Sequence, residues 1–186
     1  MARHATDATS LLVRYAAQHR DPRNIATHLA GIPLIVFALG ALLSQPALWA
    51  LSTPWGAAGL TPAVLVWLAT TLWYLSRGLP GLGVAVSAAN GALLCAAALL
   101  LSNESSSAWL SWGLAALALG WCCQWVGHYY EGPKPAKTLN LSGLLTGPMF
   151  VVAEALFAMG CLRRLKADIE RQAGPTQVRN LAMPAG

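Results

Sequence analysis

The chain has 186 residues, enough for one compact domain, and 56% of them are hydrophobic while only 10% are charged. That balance excludes an ordinary water-soluble domain and marks a membrane protein. The formal net charge of +5 does not indicate nucleic acid as a partner, because the basic residues divide between the two ends and the short loops instead of interleaving with aromatics on one face.

Residues 1–10 are polar and are expected to form a loosely ordered tail, with His4 solvent-exposed and without a role. From Ser10 to His19, the residues Leu11, Leu12, Tyr15 and Ala16 fall on one side, the pattern of a short amphipathic helix lying along the membrane surface. Pro22 to about Leu43 is the first membrane helix, with a kink expected near Gly31 to Pro33 because Pro33 cannot donate to the carbonyl of Leu29. The chain before residue 29 has no apolar core and the run after it is long, which argues against a cleaved signal peptide. Pro46, Pro54, Gly56 and Gly59 make the next stretch a loop or interfacial turn.

Thr61 to Leu75 reads as a second helix, short for spanning, and a turn at Arg77 to Gly81 follows. Leu82 to Leu101 is a third helix whose small residues, Gly83, Ser87, Ala88 and Gly91, allow close packing. After a polar turn with Glu104, Ala108 to Val126 forms a fourth, ending in Gly127-His128-Tyr129-Tyr130-Glu131. The last apolar run, Thr146 to Leu162, starts at Gly147-Pro148 and carries Glu154, and at about 17 residues it is marginal for crossing roughly 30 Å of hydrocarbon. Cys95, Cys122, Cys123 and Cys161 lie in apolar segments as small hydrophobes, with no disulfide framework. The eight Trp suit an interfacial belt together with some packing positions.

With a cytoplasmic N-terminus, Arg3, Arg14, Arg20, Arg23, Arg77, Lys134 and Lys137 all fall inside. A spanning last run would put Arg163, Arg164, Lys166, Arg171 and Arg179 outside. The expected fold is therefore all-α, an integral membrane bundle of four spanning helices plus a fifth embedded or re-entrant helix. Both termini face the cytoplasm, the setting being a bacterial inner membrane. A tail at 1–10, a membrane-embedded catalytic domain at 11–165 and a cytoplasmic tail at 166–186 complete the organisation.

His19 and His28 are nine positions apart, on opposite sides of any continuous helix. Asp21-Pro22 restarts the helix, Asp as N-cap and Pro at the first position. Asn24 and His28 then share a face, and His19 can fold back over them. The plain alternative is a membrane helix whose first polar residues sit among headgroups. At the other end of the chain, His128 and Glu131 are three apart and share a side if the fourth helix continues one more turn. His128 alone could merely favour a helix C-terminus, but the same dipole disfavours Glu131. Glu154 is either functional or paired with Lys134 or Lys137.

The pattern Tyr15, His19, Asn24, His28, Gly31-Ile32-Pro33, then Gln124, Gly127-His128, Glu131, Pro135-Ala136, Pro148 and Glu154, resembles the membrane-bound iron-dependent 2-hydroxy fatty acid dioxygenases. The resemblance covers residues 15 to about 160 and is specific in the two histidine-containing blocks. It implies Fe(II), molecular oxygen and loss of one carbon from a long-chain 2-hydroxy fatty acid. His19, His28 and His128 would be the metal ligands, with Glu131 or Asn24 as a fourth ligand or a group supporting the others. Lys134, Arg20 or Arg23 would hold the substrate carboxylate, and the acyl chain would lie between the apolar helices among membrane lipid. Two other readings of the same residues stand beside this one. Three histidines and a glutamate base equally describe a zinc-dependent lipid hydrolase, and a small transporter or scaffold could use the polar groups as a proton relay or packing contacts. Transport would be favoured by an inverted repeat, and none is found.

Overall fold

A computed structural model of the chain describes residues 6–45, 47–53, 56–101, 104–132 and 141–181. Its helices are α1 (Ala8–Ala16), α2 (Pro22–Leu42), α3 (Pro62–Leu75), α4 (Pro80–Leu100), α5 (Ser106–Glu131), α6 (Leu141–Ala158) and α7 (Arg163–Ala173). Between α2 and α3 runs an antiparallel hairpin, β1 (Trp49–Thr53) and β2 (Gly56–Leu60), pairing Trp49 with Leu60 where a loop was expected. His4, Lys134, Pro135, Ala136 and Lys137 lie outside the described residues.

Each helix start has a local cause. The Asp7 carboxylate accepts from Ser10 N at 2.7 Å and caps α1, so the helix begins inside the stretch expected as a polar tail. Asp21 caps α2 with Pro22 at the first position, as the sequence dictates, and α2 continues through Pro33. Thr61 and Ser105 cap α3 and α5 through their hydroxyls. α5 continues well beyond Val126, so His128 and Glu131 are both helical, and it stops at Gly132, whose φ of 85° favours glycine.

Four helices are long and apolar enough to cross a membrane, α2, α4, α5 and α6. The contacts add which elements run the length of the bundle. At one end Ala63 N donates to Leu43 O, and at the other Ala8 N donates to Arg77 O, so α3 connects the two ends with only 14 residues. α6 instead starts beside the foot of α3, where Tyr74 Oη donates to Leu145 O at 3.0 Å. Five residues after it, α7 packs on α1 at that same end. The stretch of α6 from Leu145 to Phe157 thus packs at the same end of the molecule as α1 and α7.

The main core lies there too, where Leu11, Leu12, Tyr74, Val86, Met149 and Phe150 meet Leu165 and Ile169 of α7. α1 is therefore covered by protein, with Leu12 and Ala16 at 0% exposure, instead of lying free on a membrane surface. The residues from 166 onward, expected as a tail, include most of α7. Beyond α7, Gln177 N donates to Arg20 O at 3.0 Å and Arg179 N to Asp21 Oδ2 at 2.8 Å, which ties this segment across the α1–α2 connection.

The most extensive helix contact among the described residues is that of α2 on α5, and glycine makes it possible. A Cβ on Gly120 would lie 2.6 Å from Ile35 Cγ1, and one on Gly127 would overlap Thr27 Oγ1 and Asn24 Oδ1. Small residues let the two backbones approach so closely that residues four apart on each helix face one another across the seam.

Candidate metal centre

Where α1 ends, α2 begins and α5 ends, three imidazoles converge. One ring nitrogen from each of His19, His28 and His128 lies within 4.8 Å of the others, an arrangement that could hold a metal ion. The His19 and His28 Nε2 atoms are 3.1 Å apart. Their outward nitrogens are engaged: His19 Nδ1–H donates to Tyr15 O at 2.7 Å and His28 Nδ1–H to Asn24 O at 2.9 Å.

A carbonyl oxygen only accepts, so both Nδ1 atoms carry the hydrogen and a neutral ring leaves Nε2 as a bare lone pair. Burial, reinforced by the neighbouring His28, pushes His19 down to about 3, so its ring is neutral near pH 7. Two lone pairs then face each other across 3.1 Å, a repulsive arrangement without a cation between them. That spacing suits neighbouring ligands of one ion with bonds of about 2.1 Å. A donor set of neutral imidazoles fits ferrous iron, zinc or a similar borderline cation.

The surroundings fix the rings. Tyr15 stacks on His19 with centroids 4.1 Å apart and planes within 2° of parallel, and burial raises its phenol above the ordinary value and keeps it protonated. Glu131 is buried at 8% exposure. It accepts from Arg20 N through both oxygens at 3.0 Å, from Asp21 N at 2.9 Å and from Asn24 Nδ2 at 3.1 Å. One carboxylate therefore anchors the peptide unit after His19 and the residue whose carbonyl holds His28. Asn24 is fully buried, and its carbonyl also accepts from Thr27 Oγ1 at 2.8 Å. Glu131 and Asn24 thus hold the backbone that carries His19 and His28.

Of the three cations expected to meet a carboxylate, Lys134 lies outside the described residues, and Arg20 and Arg23 make structural contacts. Arg20 donates to Ala16 O at 2.7 Å and to Gly174 O at 2.7 Å, closing the ends of α1 and α7. Arg23 pairs with Asp21 at 2.7 Å and lies over the Tyr130 ring, and its guanidinium holds the Asp21 carboxyl well below the usual carboxylate range. Glu154 lies outside the cluster, in the field of Arg20 and Lys166.

The histidines open onto a cavity of about 790 Å³. Its walls are apolar: Ile32, Ile35, Val36 and Leu39 of α2, Val66 and Trp67 of α3, and Leu94 of α4. It extends from His28 to Leu43 and Ala63, about 22 Å along α2 at 1.5 Å per residue. Near the histidines it is lined by Arg14, Tyr15, Gln18 and Gln124. The Gln124 Nε2, one turn from His128, is buried with no hydrogen-bond partner among the described residues. The sequence marked Arg14 only as a topology signal and did not mark Gln18, because only the packing of α1 against α6 brings their face to the cavity.

Fold and site together define a membrane-type helical bundle with a three-histidine cluster of metal-holding geometry, opening onto an apolar cavity of lipid dimensions. Residues 5–159 match the family described as 2-hydroxy-palmitic acid dioxygenase Mpo1-like, and the chain belongs to that family. It is 30% identical over 181 residues, 95% of each chain, to the 2-hydroxy-palmitic acid dioxygenase MPO1 of Saccharomyces cerevisiae. No solved structure matches.

Proposed function

We propose that this chain is an iron-dependent dioxygenase that shortens long-chain 2-hydroxy fatty acids by one carbon. The observation that carries the reading is the convergence of three imidazoles, two with Nε2 lone pairs facing each other, at the end of a long apolar cavity. His19, His28 and His128 would hold the iron. When bound, ferrous iron would supply oxygen activation and open positions for the substrate's hydroxyl and carboxylate oxygens. The overall balance closes without an outside reductant: a 2-hydroxy acid and one O2 give the acid one carbon shorter, carbon dioxide and water.

The chain's own residues do the rest. Glu131, Asn24 and Tyr15 orient the imidazoles, and the apolar walls hold the acyl chain and keep water from the reacting end. The zinc-hydrolase reading needs a carboxylate free to act as base, whereas the Glu131 carboxylate accepts from two backbone N–H groups and an amide. A scaffold would leave the His19 and His28 lone pairs opposed to no purpose. The basic end, with Arg20, Arg23, Arg77 and α7, would face the cytoplasm.

Metal analysis of anaerobically purified protein, paired with oxygen uptake, tests the reading. Iron is expected, lost in His19→Ala, His28→Ala and His128→Ala, with oxygen consumed on 2-hydroxyhexadecanoic acid and not on hexadecanoic acid. Zinc with oxygen-independent ester hydrolysis would move the assignment to the hydrolase, and wild-type metal in all three variants would remove the site.

A further inference from the structure

We propose that Arg14 is the residue that selects a free carboxylate, the ionised head of the substrate, at the histidine end of the cavity. The inference rests on the dioxygenase reading and names a recognition residue for it. A carboxylate entering an apolar cavity is costly unless a counter-charge or donors receive it. Among the described residues lining the cavity, Arg14 alone carries a formal charge.

Its placement follows from helical spacing. Leu11, Arg14, Tyr15 and Gln18 recur at three- and four-residue intervals, and all four line the cavity, so this stripe of α1 forms one of its walls. Tyr15, next to Arg14 in that stripe, stacks on His19. Arg14 therefore borders the same end of the cavity as the proposed ligands. A guanidinium can donate a charge-assisted N–H to one carboxylate oxygen while the other carboxylate oxygen and the 2-hydroxyl stay turned toward the histidines.

The test compares two ligands of equal chain length on the iron-loaded, full-length protein in detergent under anaerobic conditions: radiolabelled 2-hydroxyhexadecanoic acid and the neutral hexadecane-1,2-diol. The wild type should bind the acid more tightly. Arg14→Gln should weaken the acid roughly ten- to a hundredfold, the worth of a charge-assisted contact, and leave the diol unchanged. Arg14→Lys should retain part of the preference, iron content should match the wild type in both variants, and under oxygen KM for the acid should rise far more than kcat falls. Acid affinity within about twofold of wild type in Arg14→Gln would overturn the proposal. So would equal weakening of acid and diol, the result expected if Arg14 serves only the fold or lipid phosphates at the rim. A wild type that neither binds nor consumes the acid would overturn the dioxygenase reading as well, whereas normal wild-type turnover with an insensitive Arg14→Gln removes Arg14 alone.

Discussion

A carboxylate in the last turn of a helix faces the negative end of that helix's dipole, and Glu131 occupies such a position on α5. Its compensation comes from the start of α2, where the Arg20 and Asp21 N–H groups and the Asn24 amide all donate to it. The sequence exposed the anomaly without showing its resolution, because the partners are more than a hundred positions away. Glu131→Gln would present an amide N–H to backbone donors and leave at least one of them unmet, a cost of about 1–3 kcal/mol. The variant should unfold at lower temperature and bind iron roughly ten- to a hundredfold more weakly, the usual range for groups that orient metal ligands. Thermal unfolding and a metal-competition titration measure both effects. Unchanged iron affinity would show that the α1–α2 connection keeps its shape without this clamp.

The decisive element pair is α2 with α5. His28 sits on one and His128 on the other, so their separation is set by how closely the helices cross, and Gly127, adjacent to His128, occupies the contact itself. Overpacking at such a point typically costs about 1–3 kcal/mol and is relieved by moving whole elements. Gly127→Val should therefore push α5 from α2 and lower iron content as severely as loss of a histidine, although valine touches no metal. Full iron content in a folded Gly127→Val protein, checked by metal analysis beside circular dichroism, would mean that the crossing does not set the cluster.

At the scale of the whole molecule, the cavity joins the two ends of the bundle and its length becomes a property of the fold. Ala63 lines the far end, where its N–H donates to Leu43 O at 2.9 Å. If the cavity holds the acyl chain, Ala63→Phe should fill that end and shift the preferred substrate toward shorter acids. Each methylene without a place loses about 0.8 kcal/mol, so kcat/KM on the longest acids should fall roughly fourfold per excluded carbon. A series of 2-hydroxy acids of increasing length measures this, and an unshifted profile would place the chain elsewhere.

Local chemistry settled much of this protein in advance. The apolar runs, the Asp21-Pro22 restart and the Gly132 stop determined most of the helices, and the spacing of Asn24 with His28 and of His128 with Glu131 determined which side chains share a face. All of these depend on neighbours within a turn or two, which a linear reading contains. Packing decided the rest. It ordered residues 163–181 across the site and engaged Arg20 and Arg23 in structure. It also turned Glu131 toward backbone donors and brought Arg14 to the cavity wall. Each of those outcomes depends on which surfaces of distant helices meet, and periodicity along the chain fixes a face without naming what will lie opposite it.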